Sequence, residues 1–140
     1  MIKKFYVDTC IWRDLLENRK SGFLALGDLA FGFLSKCRDN GCAIIVSSFV
    51  IEELNYFFPA STITDLFESF LKQIVFVEPS EEAINEASIL SKKTYDTHLS
   101  DILHAVVAKE QSCVMITRDK HFHVLTNIVK VCLPEEVLFD

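Results

Sequence analysis

Ala43-Ile44-Ile45-Val46 is an apolar run with no polar residue in alternation. A strand with one wet face alternates apolar and polar residues. A short run apolar on both faces fits a strand of a parallel sheet covered by helices on each side. Its flanks agree. Upstream, Gly22 to Arg38 repeats apolar residues at spacings of three and four and stops at Asn40-Gly41, a good left-handed helix cap. Downstream, Val50 to Phe58 reads as a helix ended by Pro59, which cannot continue one.

The same alternation extends outward in both directions. Phe5-Tyr6-Val7, Ile74-Val75-Phe76-Val77, Val114-Met115-Ile116 and Ile128-Val129-Lys130-Val131 are further strand candidates. Between them a helix is expected from Ser61 to about Gln73 and another after Ser80, where Glu81-Glu82 suits the positive end of the helix dipole. A last one runs over Ile102 to Lys109, with Ser100-Asp101 as its start signal. The pattern predicts a three-layer α/β/α fold with a mostly parallel central sheet, in one domain over residues 1–140.

Composition bounds the function. Half of the 140 residues are hydrophobic and 24% are charged, too apolar a balance for a disordered chain. No apolar run approaches the roughly 18 residues of a membrane span. The N-terminal Lys3-Lys4 has no long apolar segment behind it, so the start reads as part of a fold and not as a signal peptide. Cys10, Cys37, Cys42, Cys113 and Cys132 are scattered and odd in number, and are read as small buried residues of a reduced, cytoplasmic protein. A net charge of −6 argues against a protein that coats nucleic acid by simple attraction. It leaves room for an enzyme whose acids bind cations.

In open α/β sheets functional groups gather beyond the carboxyl ends of the strands. Asp8 directly follows the first strand candidate and Asp119 closely follows the fourth. Asp101 opens a helix on the same side, and Glu52 and Glu53 lie early in the helix after the second strand. Each has a plain alternative as a helix cap or first-turn charge. Together, carboxylates sharing one site would repel and raise one another's pKa unless cations bind, and Mg²⁺ or Mn²⁺ suit such hard oxygen ligands. Periodicity does not choose between Glu52 and Glu53.

Four segments in order resemble the PIN domains. Phe5-Tyr6-Val7-Asp8-Thr9 is similar to that family's first strand with its Asp followed by Ser or Thr. Ser47-Ser48-Phe49-Val50-Ile51-Glu52-Glu53-Leu54 resembles the second motif and places Glu53 on the acidic position. Ser100-Asp101-Ile102-Leu103-His104-Ala105 looks like the third, and Ile116-Thr117-Arg118-Asp119-Lys120-His121-Phe122 like the fourth, the sharpest of them. The resemblance runs from Phe5 to about Leu133.

The resemblance implies a Mg²⁺- or Mn²⁺-dependent endoribonuclease hydrolysing phosphodiester bonds of RNA. Asp8, Glu53, Asp101 and Asp119 would be catalytic, with Asp8, Asp101 and Asp119 as metal ligands and Glu53 as ligand or as the group that orients or deprotonates water. Thr9, His104, Thr117 and Arg118 are expected to support the acids or touch phosphate. His104, three residues after Asp101 on one helix face, is read as a supporting or structural histidine and not as a base. Lys120, His121 and His123 join Arg118 in a basic cluster beside the acids, and Arg13, Arg19 and Lys20 lie on or just after the first helix; all could hold RNA phosphates, each with solvated surface as its default.

Compact members of the family resemble VapC-type toxins of prokaryotic toxin–antitoxin pairs, which implies a small antitoxin partner. Twelve phenylalanines, concentrated in Phe23 to Phe33 and Phe49 to Phe70, suggest leftover apolar surface, hence a homodimer and a groove for an antitoxin helix; the alternative is that all are core. A catalytically silent PIN-fold scaffold is the main rival. A haloacid-dehalogenase-type phosphatase would want an Asp where Cys10 stands, and in a receiver domain Val77-Glu78-Pro79 would fit the third strand's end poorly.

Overall fold

The structure is a computed structural model and describes residues 2–93 and 97–139. The order of elements is β1 (Lys4–Val7), α1 (Thr9–Leu16), β2 (Lys20–Ser21), β3 (Leu24–Ala25), α2 (Leu26–Asn40), β4 (Ala43–Ser47) and α3 (Ser48–Asn55). There follow α4 (Ala60–Glu68), β5 (Ile74–Val77), α5 (Glu81–Ser91), α6 (Leu99–Glu110), β6 (Val114–Ile116), a 3₁₀ turn (Lys120–Leu125), β7 (Val131–Cys132) and a second 3₁₀ turn (Pro134–Glu136).

The main sheet has five strands in the order β5-β4-β1-β6-β7, and every neighbouring pair is parallel. The three-layer α/β/α arrangement follows, with helices flanking the sheet. The central β1 is the most enclosed, with Phe5, Tyr6 and Val7 all buried. At the edge, β5 leaves Val75 and Phe76 about half exposed, so that run is apolar on both faces without being covered on both. Among the described residues no helix is long and apolar enough to cross a membrane.

Several boundaries differ from the sequence expectation, each for a local reason. Gly22 does not begin a helix: it takes φ +59° in the turn of a β2–β3 hairpin, and α2 starts at Leu26. The far end of α2 is as expected, with Gly41 left-handed at φ +66°. Pro59 sits at the N-cap of α4, so it opens the next helix as well as closing the last. The last helix starts at Leu99, upstream of Ser100-Asp101; its cap residue is His98, and Asp101 lies inside the first turn. The final strand is shorter and later than Ile128–Val131, because the amides of Ile128 and Val129 turn back onto the carbonyl of Leu125.

Trp12 fastens the site's floor. Fully buried on α1, it donates its indole N–H to the Val7 carbonyl at 3.2 Å and meets the Phe67 ring edge-on at 5.2 Å. That ties the carboxyl end of β1 to α1 and α4.

Candidate functional site

From β1 the chain builds outward to β4 and β5, then returns to β6 on β1's other side. The direction reverses between β1 and β6, which opens a crevice beyond their carboxyl ends. Asp8 lies at its base. Its amide donates to the Ile116 carbonyl at 3.0 Å, and its extended backbone (φ −66°, ψ 154°) makes it the N-cap of α1. Its Oδ1 accepts the Thr9 amide at 2.8 Å. Oδ2 accepts the Thr117 hydroxyl at 2.7 Å and faces the Cys10 thiol at 3.4 Å. Burial raises the Asp8 pKa, while the His104 charge and these donors hold the rise back. The Cys10 thiol is pushed up to about 12, chiefly by burial and by the Asp8 charge beside it, so it stays a protonated donor.

Thr117 joins this acid to the next. The hydroxyl that donates to Asp8 accepts the amide of Asp119 at 3.0 Å. Asp119 caps the following 3₁₀ turn, accepting the His121 amide at 2.9 Å, and its Oδ1 lies 3.1 Å from His121 Nδ1. Asp101 approaches from the first turn of α6. One ligand atom each from Asp101, Asp119 and His121 fall within 4.8 Å of one another. The Asp101 pKa is raised by burial first and then by the charges of Asp119 and Asp8, against the opposing pull of His104 and His121.

Glu53 and Glu52 are now distinguishable. Glu52 is exposed, whereas Glu53 turns inward from α3. Glu53 Oε1 accepts the Thr9 hydroxyl at 2.9 Å and lies 2.5 Å from His104 Nε2. Burial alone would raise the Glu53 pKa, but the His104 bond and charge, with the Thr9 hydroxyl, hold it below its ordinary value. Burial would lower the His104 pKa, yet the bond to Glu53 and the charges of Asp8, Glu53 and Asp101 lift it.

Arg118 is committed elsewhere. Its guanidinium forks onto Glu135, at 2.9 Å from Nη1 to Oε2 and 2.5 Å from Nη2 to Oε1. Its Nε stands 3.5 Å from the buried Asp14 carboxylate. Arg118 therefore braces the loop after β6 against α1 and the chain's last turn. A cavity of about 390 Å³ beside it is lined by Cys10, Asp14, Arg19, Lys20, Arg118 and Asp119, so three cations stand next to an acid of the site, and Arg19, like Arg118, is ion-paired, to Glu17 at 2.7 Å. A larger cavity of about 490 Å³ lies at the amino ends of β1 and β6, among Lys3, Lys4 and Lys130, away from the acids.

Asp8 and Asp119 are thus joined through Thr117, and Glu53 is linked to Asp8 by Thr9. The sequence did not single out Tyr6, Ser47, Asp14 or Cys10 as site residues, and it read His121 as a basic residue near the acids, suited to phosphate or solvent, and not as a donor sharing their site. Asp101, Asp119 and His121 are a donor set that a divalent cation fits, since it relieves the repulsion that, after burial, raises the Asp101 pKa. Asp8 stands outside that group, tied to Asp119 through Thr117.

No protein-family profile matches the chain, and no curated protein matches it in sequence. Solved structures do match in shape. A chain of the VapBC2 complex of Rickettsia felis, bound to a DNA fragment from its promoter, superposes with a TM-score of 0.68 at 16% identity, covering 93% of this chain and 98% of that one. A toxin–antitoxin complex from Klebsiella pneumoniae gives 0.64 at 20% identity, over 94% and 98%. FitAcB from Neisseria gonorrhoeae gives 0.61 at 16%, over 95% and 99%. The chain has the fold of these structures, the three-layer arrangement implied by its resemblance to PIN domains.

Proposed function

We propose that residues 1–140 act as one nuclease domain, a divalent-metal-dependent endoribonuclease that hydrolyses phosphodiester bonds of RNA. The observation that carries this reading is the meeting of Asp101, Asp119 and His121 within 4.8 Å, with Asp8 tied to Asp119 through Thr117. Carboxylates on separate segments gathered at a switch point, with Asp8 and Asp101 raised in pKa, are a costly arrangement unless a cation joins them.

Asp8, Asp101 and Asp119 would hold Mg²⁺ or Mn²⁺, with His121 as an additional donor. When bound, the cation lowers the pKa of water and neutralises charge developing on the phosphate. Asp8 is kept in place by three donors, so its carboxylate needs no rearrangement to serve. Glu53, anchored at one oxygen, orients the attacking water and accepts its proton. Lys20, on the cavity wall beside Asp119, suits a neighbouring phosphate of the RNA strand.

In the cell the protein would be the cytoplasmic toxin of a prokaryotic toxin–antitoxin pair. One fold neighbour is a toxin–antitoxin complex and another is a VapBC2 complex on promoter DNA, and this supports the role. The partners are a small antitoxin and a second copy of the chain. Phe23, Leu24, Phe31, Tyr56 and Phe57 are at least half exposed and offer apolar surface to both. Cleavage of RNA across a metal titration, with acid-to-alanine variants alongside, tests the enzyme directly.

A further inference from the structure

Glu53 is gripped at one oxygen and open at the other. Oε1 accepts from Thr9 and from His104, and among the described residues no hydrogen bond reaches Oε2. The imidazole that grips it is itself held. His104 Nδ1 lies 2.6 Å from the Tyr6 hydroxyl, which lies 2.6 Å from Ser47 Oγ. Ser47 Oγ in turn accepts the Val50 amide at 3.3 Å as the N-cap of α3. That helix carries Glu53. The backbone under Glu53 and the donor on its carboxylate are therefore both referenced to one serine hydroxyl.

The assembly is dry and clamped. Tyr6 and Ser47 have no exposure and His104 has 2%. The Tyr6 and Phe49 rings meet the imidazole edge to face, with centroids 5.7 and 6.3 Å away. Burial pushes the Tyr6 phenol well above its ordinary value, so it keeps its single proton throughout the working pH range.

Proton accounting leaves little freedom. An ionised Glu53 can only accept, so Nε2 carries a hydrogen. With a neutral ring, Nδ1 accepts from Tyr6 and Tyr6 accepts from Ser47. With a doubly protonated ring, both hydroxyls reverse. In either arrangement the Nε2–H points at Oε1.

We propose that Ser47, Tyr6 and His104 form a buried positioning relay that locks Glu53 by Oε1 and presents Oε2 to the attacking water. This rests on the nuclease reading above and assigns the relay's three residues a part in it. They are positioning residues, acting through Glu53.

The test is steady-state cleavage of a labelled random-sequence single-stranded RNA pool with Mn²⁺, using the full chain. Tyr6→Phe and His104→Leu are each expected to lower kcat by roughly 10–100-fold, as losses of an outer hydrogen-bond partner do, with KM unchanged. His104→Gln, whose amide can donate near the Nε2 position, recovers part of the loss. In a Glu53→Gln background, Tyr6→Phe costs nothing further, because its effect passes through Glu53. Losses that multiply in the double variant overturn the relay. A second measurement needs neither cleavage nor a relay variant. Ring ¹⁵N resonances of His104 in the metal-free protein should show Nε2 protonated, and the signal should move in Glu53→Gln. An unprotonated Nε2, or a signal indifferent to Glu53→Gln, overturns the relay whatever the activity. If wild type cleaves nothing while the resonances behave as expected, the nuclease reading fails and the lock on Glu53 stands.

Discussion

Thr117 donates its hydroxyl to Asp8 at 2.7 Å while the same oxygen accepts the amide of Asp119 at 3.0 Å. One buried side chain thereby sets the spacing of two acids that enter the crevice from different strands. Thr117→Val keeps the shape and removes the hydroxyl. It leaves Asp8 Oδ2 with only the weak Cys10 thiol donor and the Asp119 amide without its acceptor, a loss of about 1–3 kcal/mol in unfolding free energy. It should also lower cleavage by roughly 10–100-fold, as loss of an outer partner does. Urea unfolding and RNA cleavage on the same preparation check both, and wild-type values for each would remove Thr117 from the account.

The raised pKa values of Asp8 and Asp101 make a prediction with a definite sign. A carboxyl whose folded pKa lies above its unfolded one binds more protons in the native state, so stability falls as pH rises through that interval. The metal-free protein should therefore lose stability from these groups as pH climbs from about 3.8 through their folded values. Asp8→Asn should be more stable than wild type at neutral pH without metal, and show no such gain in acid. Adding Mg²⁺ or Mn²⁺ should stabilise wild type by about 2.7 kcal/mol at a hundredfold excess over Kd, and Asp8→Asn by less. Thermal melts with and without metal across pH decide it, and a wild-type Tm indifferent to millimolar metal would count against a shared site.

His121 alters what the site should prefer. Mg²⁺ favours oxygen donors almost exclusively, while Mn²⁺ also accepts an imidazole. With His121 within 4.8 Å of the Asp101 and Asp119 ligand atoms, Mn²⁺ should bind more tightly than Mg²⁺. His121→Ala should narrow that difference without reversing it. Calorimetric titration of the two metals measures it, and an unchanged ratio in His121→Ala would show that the ring is not a ligand.

Much of this was legible in the sequence, and the exceptions have physical causes. Runs such as Ala43 to Val46, apolar on both faces, fit strands of a covered parallel sheet, though β5 is covered on one side only, and acids placed just past such runs gather at one edge. The β2–β3 hairpin was hidden because Phe23 and Leu24 extend the helical apolar period across Gly22, although both side chains stand in solvent. Ser100-Asp101 carries cap chemistry, yet His98 takes the extended cap backbone and the acid falls inside the helix. The relay was not legible at all. Tyr6 reads as strand core and Ser47 as part of a Ser-rich strand end, and no spacing rule brings positions 6, 47 and 104 together. Arg118 looked free to meet phosphate because its partners, Asp14 and Glu135, lie far away along the chain.

The phenylalanines divide. Phe5, Phe33, Phe67, Phe70 and Phe122 are buried, while Phe23, Phe31, Phe57 and Phe76 are at least half exposed. One exposed ring, Phe57, is covered on one face by the Arg13 guanidinium 3.6 Å from its centroid. The remainder should be covered by a second copy or by an antitoxin. Light scattering should give a dimer mass, and Phe23→Ser with Phe31→Ser should shift it towards monomer or abolish capture of the co-expressed neighbouring gene product. A wild-type monomer at high micromolar concentration that captures no such product would defeat both partners and leave the chemistry untouched.

The central claim is that these acids cleave RNA with a divalent metal. Wild type, Asp101→Ala and Asp119→Ala should be purified side by side, matched for fold by circular dichroism, and incubated with total cellular RNA in Mn²⁺. The account predicts cleavage by wild type that chelation stops, and a loss of at least about 100-fold in both variants, the scale of removing an electrostatic group from a transition state. Equal cleavage by all three proteins, or none by wild type with metal bound, would contradict it.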